Sequence, residues 1–310
     1  MKVLVTGGAG FIGSHVAEAY AAAGHEVVVV DNLSTGKAEN LPPHIRLHPV
    51  DIRSPQLAEV FAAERPEVVN HHAAQISVNF SLREPRFDAE VNVLGSLNVI
   101  DCCLRHDVRK LVYISTGGAA VGEPRYLPVD EQHPVDPLSP YGCSKHTVEH
   151  YLYLFRKSAG LDYTVLRYPN VYGPRQDPHG EAGVVAIFSG LMLRGQPVRI
   201  NGTGEQERDF IHVADLARAN LLAVSAAAGE MYNVGTGVGT SVNEIFRVLA
   251  ACTGYAQDPV HGPALPGEVF KIYLDSSKAE RELGWRATVS LEEGLAETAD
   301  WFRQRLAVAG

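Results

Sequence analysis

An α/β architecture, a doubly wound parallel sheet carrying a smaller mixed α/β lobe, is predicted by three observations in this sequence. In the first half, short β-branched runs alternate with longer amphipathic stretches, the order that parallel strands and their crossover helices require. Between the first run and the first helical stretch stands a glycine-rich turn, Thr6-Gly7-Gly8-Ala9-Gly10-Phe11-Ile12-Gly13. After Arg167, proline and glycine become denser (Tyr168–Pro178, Asn201–Gly204, His261–Gly267), and the periodic segments are joined by long loops. With 310 residues, 45% of them hydrophobic, the chain can bury a large core as one domain or two lobes. A first domain is expected over 1–167, completed by part of 208–235. A mainly ligand-binding lobe is expected over 168–310, packed over the sheet end where ligands of such folds bind.

The elements follow in order. Val3–Thr6 reads as the first strand and Phe11–Gly24 as the helix after the turn. Glu26–Val30, with four successive valines, reads as a strand buried on both faces, and Arg46–Pro49 as a shorter one. Ser54-Pro55 opens a helix running to Glu64, a hydroxyl cap followed by proline at the first helical position. Glu67–His71, Lys110–Ser115 and Tyr163–Arg167 are further strands, with helices over Phe87–His106 and Tyr141–Ala159. The formal charge is −9 and no basic block interrupts the chain, which argues against nucleic acid or an anionic membrane as a partner. No apolar run reaches membrane-spanning length. The first residues run straight into a strand with no signal-peptide pattern. Four cysteines (Cys102, Cys103, Cys143, Cys252) show neither metal-ligand spacing nor a disulfide framework, so a reducing cytoplasm is the expected compartment and no metal is expected.

The glycine turn has the strand–turn–helix setting of a phosphate-binding loop. Gly7 allows the tight turn, Gly10 lets a pyrophosphate approach the backbone, and Gly13 lets helix pack on strand. The opening amides of the helix, at Phe11 and Ile12, then face the phosphates. The first domain is therefore expected to be of Rossmann type. Asp31 closes the second strand eighteen residues beyond Gly13, where an acid binds the adenosine ribose hydroxyls and repels a 2′-phosphate. No arginine follows it directly, which favours NAD over NADP. Tyr141 and Lys145, four residues apart, share one face of a helix, so phenol and ammonium meet the same ligand. An ordinary phenol holds its proton to about pH 10. The Lys145 cation, helped by an oxidised nicotinamide, is expected to lower that value and make Tyr141 a base at neutral pH. Such a pair suits removal of a proton from an alcohol whose carbon loses hydride.

From Lys2 to about Trp285 these motifs resemble the nucleotide-sugar epimerases of the extended short-chain dehydrogenase/reductase family. The resemblance implies that Asp31-Asn32-Leu33-Ser34-Thr35-Gly36 is the ribose loop, with Asn32, Ser34, Thr35 and Gly36 on the cofactor, and that Asp51-Ile52 lies beside adenine. It implies that His72-Ala73-Ala74 runs under the cofactor diphosphate, that Asn92 lies near the cofactor, and that Ser115-Thr116 ends the strand before the active-site loop. Tyr141 and Lys145 match the catalytic dyad. Tyr168-Pro169-Asn170 matches a strand end touching nicotinamide (Tyr168, Pro169) and substrate (Asn170). Arg208 would anchor a substrate phosphate, and Glu268 falls among the substrate contacts. The implied reaction is NAD-dependent inversion at C4 of a nucleotide sugar, UDP-glucose and UDP-galactose being the expected pair, through a 4-keto intermediate. Thr116, or in second place Ser115, would hydrogen-bond the reacting hydroxyl. A homodimer is implied through the helices Phe87–His106 and Tyr141–Ala159.

Four departures bear on the substrate. Leu265-Pro266-Gly267-Glu268 stands where many relatives carry Arg-Pro-Gly-Asp, so one phosphate-binding cation is missing. Asn201 replaces a bulky residue over the base, Ile272 lies near the position that limits the sugar's C2 group, and Val121 replaces a tyrosine. UDP-N-acetylglucosamine or UDP-glucuronate are the alternative substrates. A dehydratase or reductase is a further alternative, but Gly117-Gly118-Ala119, rather than acids, follow Thr116. An NAD-binding redox sensor would tend to lack the dyad. His146-Thr147-Val148-Glu149-His150 formally matches a zinc-hydrolase pattern, and a surface helix face explains it better. Gly235–Gly239 reads as a strand–turn–helix joint, with Ser241 and Glu244 forming a capping box.

Overall fold

Val3, Leu4 and Val5 are wholly buried, because β1 (Lys2–Thr6) runs through the middle of a sheet covered on both faces. The computed structural model describes residues 1–178, 183–264 and 269–309. After β1 come α1 (Phe11–Ala22), β2 (Glu26–Val30), β3 (Arg46–His48), α2 (Gln56–Glu64) and β4 (Val68–His71). Then follow α3 (Val78–Arg83), α4 (Pro85–Ala89), a π-turn over Glu90–Gly95, α5 (Ser96–Arg105) and β5 (Lys110–Thr116). The short α6 (Gly118–Val121), the long α7 (Pro140–Ala159) and β6 (Tyr163–Tyr168) complete the first half. The second half contains β7 (Asn170–Tyr172), α8 (Val184–Leu193), β8 (Arg199–Asn201), β9 (Glu207–Arg208), β10 (Phe210–His212), α9 (Val213–Ala223) and β11 (Glu230–Asn233). It ends with β12 (Thr240–Ser241), α10 (Val242–Thr253), β13 (Val260–Gly262), β14 (Lys271–Ile272), α11 (Ser277–Leu283) and α12 (Leu291–Ala309).

Seven parallel strands form the main sheet in the order β11-β6-β5-β4-β1-β2-β3. β1 pairs with β2 from Lys2↔Glu26 and with β4 from Val3↔Val68, so the winding direction reverses between β1 and β4. Ligands of such sheets bind in the crevice outside the carboxyl ends of those strands. Val16 and Tyr20 of α1 and Leu216 and Ala219 of α9 cover one face. Leu57 and Phe61 of α2, Val99 of α5, and Val148 and Leu152 of α7 cover the other. Each such side chain contributes about 1.5–3 kcal/mol on burial. A separate core around Phe188, Met192, Phe210, Ile245, Leu249 and Leu295 holds the smaller lobe together, beside small two- and three-stranded sheets. The expected fold class is the one observed.

The differences are local and have local causes. The third strand ends at His48, since Pro49 has no amide to donate. The helix expected over Phe87–His106 starts earlier, at Pro85, and is interrupted by the π-turn before continuing to Arg105. α3, not foreseen, is capped by Ser77, whose Oγ accepts from Phe80 N at 2.8 Å. Ser241 caps α10, accepting from Glu244 N at 3.1 Å, while the Glu244 carboxylate pairs with Arg247 instead of returning to the cap.

α7 is fastened to the sheet by a buried ion pair. Arg167 of β6 donates Nε and Nη2 to the two oxygens of Glu149, at 2.9 and 2.6 Å, and His146 Nδ1 meets the same carboxylate at 2.9 Å. Burial pushes the Glu149 carboxyl up, and the bonds from His146 and Arg167 outweigh it, holding it at about 2. That lies below the group's ordinary 4.5, so the stabilisation is complete above about pH 4.5 and is lost as pH falls toward 2. Glu149→Gln is expected to flatten the dependence of unfolding free energy on pH across that window. Arg167→Met, which strands the carboxylate, should cost about 3–5 kcal/mol at neutral pH. Denaturant titrations from neutral to acid pH test both, and an unchanged acid limb in Glu149→Gln would exclude the linkage. The same contacts dispose of the zinc pattern: His146 and Glu149 are engaged with each other and with Arg167, and no group of three metal-ligating side chains occurs among the described residues.

Candidate active site

At the switch point, the turn after β1 brings backbone against backbone. Gly7 has φ +67°, and a Cβ there would stand 2.6 Å from Ala73 N. A Cβ at Gly13 would meet Gly7 O at 2.2 Å, and one at Gly10 would meet the same oxygen at 3.2 Å. Gly10 caps α1 without a side chain, and a helix's first amides have no intrahelical partner, so the N–H groups of Phe11, Ile12 and Gly13 open into the crevice. Gly8 contributes too: a Cβ there would press on Val29 of β2 at 2.7 Å.

Asp31 is buried beside this turn, accepting from Ala9 N at 3.0 Å and Leu33 N at 2.8 Å. Those two bonds leave a carboxylate with lone pairs to spare. Gly36 lies against it, a Cβ there falling 2.8 Å from the carboxylate oxygens, while Ser34 and Thr35 are exposed. Asn32 donates Nδ2 to Asp51 at 2.9 Å and accepts from Ser34 N. Asp51 is gripped by the Arg53 guanidinium, which holds its carboxyl far below the usual range, and Ile52 is buried behind it.

His71 ends β4 and His72 follows it directly. Ala73 N donates to Thr6 Oγ1, which bonds His71 Nδ1 at 2.6 Å; His71 Nε2 bonds Ser96 Oγ at 2.9 Å; and Ser96 Oγ donates to Asn92 O. Because Ser96 gives its proton to a carbonyl, this order makes His71 a neutral imidazole carrying its proton on Nε2. Burial, with Lys145 adding, lowers its pKa well below the usual value. Both ring nitrogens of His72 are buried with no hydrogen-bond partner among the described residues, and burial drops its pKa to about 3. Its ring lies 6.3 Å from that of Tyr168, whose hydroxyl turns inward to Asn220.

The dyad stands opposite. Ser139 caps α7, its Oγ accepting from Gly142 N at 3.1 Å, and Pro140 takes the first turn, so the helix begins one residue before Tyr141. The Tyr141 phenol lies near the Thr116 hydroxyl at the end of β5, which itself accepts from Ala119 N at 3.3 Å. A methyl at Gly142 would fall 2.0 Å from Ala119 O, so only glycine lets α7 approach the turn after Thr116 this closely. Strand alternation turns Tyr113 and Ser115 toward α7, and Ser115 lies beside Glu149. Lys145 is buried with Nζ 4.4 Å from the Tyr113 ring centroid, a cation–π distance. Burial lowers its pKa to about 7, against the opposing charges of Glu149 and Asp88. Burial, with Asp88 adding and Thr116 opposing, pushes Tyr141 up to about 12.

Asn92, from the π-turn, directs Nδ2 at Gln75 O (2.9 Å), Asp88 Oδ1 (3.1 Å) and Ser144 Oγ (3.1 Å). Ile272 and Leu274 form a small cluster with Val121 and Val129 behind Gly117 and Gly118. Asn170 is exposed at the start of β7, its N–H donating to Asp209 O, which brings it beside β9 and β10. The Asp209 carboxylate is filled by the amides of Thr236, Gly237 and Leu274, and Glu207 pairs with Lys271. Arg208 donates Nη1 to the carbonyls of Glu207 and Phe270. Leu265 and Glu268 lie outside the described residues. Gln75, Asp88 and Gly142 are additional residues around the dyad; of these, only Gly142, a glycine inside a helical pattern, carries a sequence signal.

Residues 3–235 match the model of the NAD dependent epimerase/dehydratase family. The chain is 42% identical to UDP-glucose 4-epimerase of Mycolicibacterium smegmatis, over 98% of this chain and 99% of that protein. The crystal structure of UDP-glucose 4-epimerase with UDP-glucose from Thermotoga maritima superposes with a TM-score of 0.97 at 50% identity, covering 99% of this chain and 100% of that one. That of the Thermus thermophilus UDP-glucose 4-epimerase complex with NAD gives 0.93 at 46% identity, covering 98% and 99%.

Proposed function

The chain belongs to the NAD dependent epimerase/dehydratase family, and we propose that it interconverts UDP-glucose and UDP-galactose by inversion at C4. The carrying observation is the close approach of α7 at Gly142 to the turn after Thr116, which sets the Tyr141 phenol near the Thr116 hydroxyl with buried Lys145 one helical turn behind. The residues fit a dinucleotide: side chains at Gly7, Gly10 and Gly13 would crowd the turn, Asp31 retains acceptor capacity, and the ring nitrogens of His72 lack partners among the described residues. In this reading the phosphates lie on the amides of Phe11 and Ile12. The ribose loop from Asp31 to Gly36, Asp51-Ile52 and the 72–74 segment flank the adenosine and diphosphate. Bound NAD would supply a reversible hydride acceptor.

Tyr141 takes the proton of the C4 hydroxyl as the C4–H bond is broken, leaving a 4-keto sugar, and returns it when the carbon is reduced from its other face. Thr116 hydrogen-bonds the same oxygen and orients it. Lys145 holds the nicotinamide ribose and favours the phenolate once the site is filled. In this reading Asn170 contacts the sugar and Arg208 its diphosphate. No acid directly follows Thr116, and Gly117 and Gly118 lie against Leu274 and Ile272, which argues against a second acid–base pair there for elimination of water. Thr116→Ala is expected to lower kcat about a hundredfold, whereas Ser115→Ala, on the other face of the strand, should stay within about threefold of wild type. Steady-state kinetics of the two variants decide between the hydroxyls; equal losses would contradict the assignment.

Leu94, Tyr153 and Leu154 are more than half exposed on the π-turn and α7, and a second copy packing there would cover them, so the working form is a homodimer. A monomer mass in sedimentation would exclude it. The four thiols are free, in keeping with a cytoplasmic role in galactose metabolism. Product analysis of the purified protein with UDP-glucose, UDP-N-acetylglucosamine, UDP-glucuronate and dTDP-glucose tests the substrate. Unchanged UDP-hexoses beside conversion of another sugar would overturn the reading and point to Leu265.

A further inference from the structure

Asp209 is not among the expected contacts, yet it is the single residue between β9 and β10 and is wholly buried. Its Oδ1 accepts from Thr236 N at 2.9 Å and from Thr236 Oγ1 at 2.6 Å. Its Oδ2 accepts from Gly237 N and Leu274 N, both at 3.2 Å. The main chain is engaged as well: Asp209 N donates to Ile272 O at 3.1 Å, and Asp209 O accepts from Asn170 N at 3.0 Å. A Cβ at Gly235 would run into Oδ2, so the turn after β11 closes onto the carboxylate. Four donors meet two oxygens, a demand that an ionised carboxylate, acceptor on both, satisfies in full.

These partners come from distant parts of the chain. Asn170 follows β6 and Thr236 follows β11, which are neighbouring strands of the main sheet. Leu274 follows β14 and packs on the active-site turn, where a Cβ at Gly117 would stand 2.5 Å from its Cδ1. Arg208, immediately before Asp209, is paired with Thr240 on one side and Ile272 on the other in the sheet β12-β9-β14. One buried residue thus joins the segments bearing Asn170 and Arg208 to the wall behind Gly117. We infer that Asp209 is a positioning residue for the nucleotide sugar, holding Asn170 and Arg208 in register with the turn that carries Thr116. The inference rests on reading Asn170 and Arg208 as substrate contacts.

Asp209→Asn keeps the shape and turns one oxygen into an NH2 group. Whichever way that amide faces, it meets N–H donors, either those of Gly237 and Leu274 or that of Thr236, and the frame is released on one side. Calorimetry of UDP binding to the holoenzyme reads this without turnover. Asp209→Asn should bind UDP about tenfold more weakly and raise KM for UDP-glucose about as much. Its kcat should stay within about threefold and its NAD content unchanged, because α7 is set against Ala119 independently of Asp209. Asp215→Asn separates a merely structural role. Asp215 is equally buried, on α9, and accepts from Thr288 N, Thr288 Oγ1 and Val289 N. That variant should melt lower while its UDP affinity and KM stay within about twofold of wild type. UDP affinity unchanged in Asp209→Asn, or weakened equally in both variants, would overturn the inference. If the wild type binds UDP but converts neither UDP-hexose, the reading of the reaction fails, and a tenfold loss of UDP affinity in Asp209→Asn still supports the inference. A wild type that does not bind UDP would overturn both. Should Asp209→Asn fail to fold, Thr236→Val removes the Oγ1 bond alone: UDP bound about threefold more weakly supports the inference, and wild-type affinity overturns it.

Discussion

Tyr141→Phe enzyme is expected to convert UDP-glucose about a thousandfold more slowly than wild type, with its fold and its bound cofactor intact. The substitution removes one oxygen and retains the ring, so the first turn of α7 and the Ser139 cap are preserved. What disappears is the phenol oxygen near Thr116, the group proposed to carry the proton of the reacting alcohol. General acid–base catalysis contributes about 10²–10⁴ in rate, which sets the size of the loss. Turnover by product assay, cofactor content after denaturation and the melting temperature are the three measurements. Near-normal turnover would remove Tyr141 from the mechanism, whereas loss of cofactor as well would mean that the phenol supports binding more than chemistry.

Gly7→Val should produce a protein without cofactor and without activity. The main chain at Gly7 has φ +67°, which costs an L-residue about 1–2 kcal/mol, and a β-branched one more. Its Cβ would collide with Ala73 N and Cα, both main-chain atoms that cannot step aside, adding about 1–3 kcal/mol of overpacking. The displaced segment is the one expected beneath the diphosphate, so stability and cofactor affinity fall together. Gly24→Ala is the control: φ is again positive, +82°, but nothing lies within 4 Å of the added methyl. It should cost about 1 kcal/mol and retain cofactor and turnover. Cofactor retained at wild-type level in Gly7→Val would show that the turn is not a binding element.

Much of this was legible in the residues because main-chain constraints leave marks in sequence. Glycines at 7, 10 and 13 announce close backbone approaches, and the valines of β1 and β2 announce a sheet buried on both faces. The four-residue spacing of Tyr141 and Lys145 announces a shared helix face. What escaped notice depends on the third dimension. Asp88 and Gln75 are single polar residues on separate segments, and nothing in the chain says that they meet. Ser115 and Thr116 are interchangeable as letters, and only the pleat of β5 sends them to opposite sides. Burial of the Tyr141 phenol is equally invisible, and by itself it raises the phenol's proton affinity. The break in the helix over Phe87–His106 is a tertiary accommodation, since the sequence there has no proline or glycine until Gly95.

The meeting of Gly142 with Ala119 O has a consequence for tolerance to change. The separation between the strand end bearing Thr116 and the helix bearing Tyr141 is fixed by peptide against peptide, not by rotamers that hop with temperature. Reaction geometry is in this way insulated from the outer layers, whose composition can drift without retuning the centre. Substitutions that merely loosen the distant core of the smaller lobe should lower the melting point and leave turnover per folded molecule where it was.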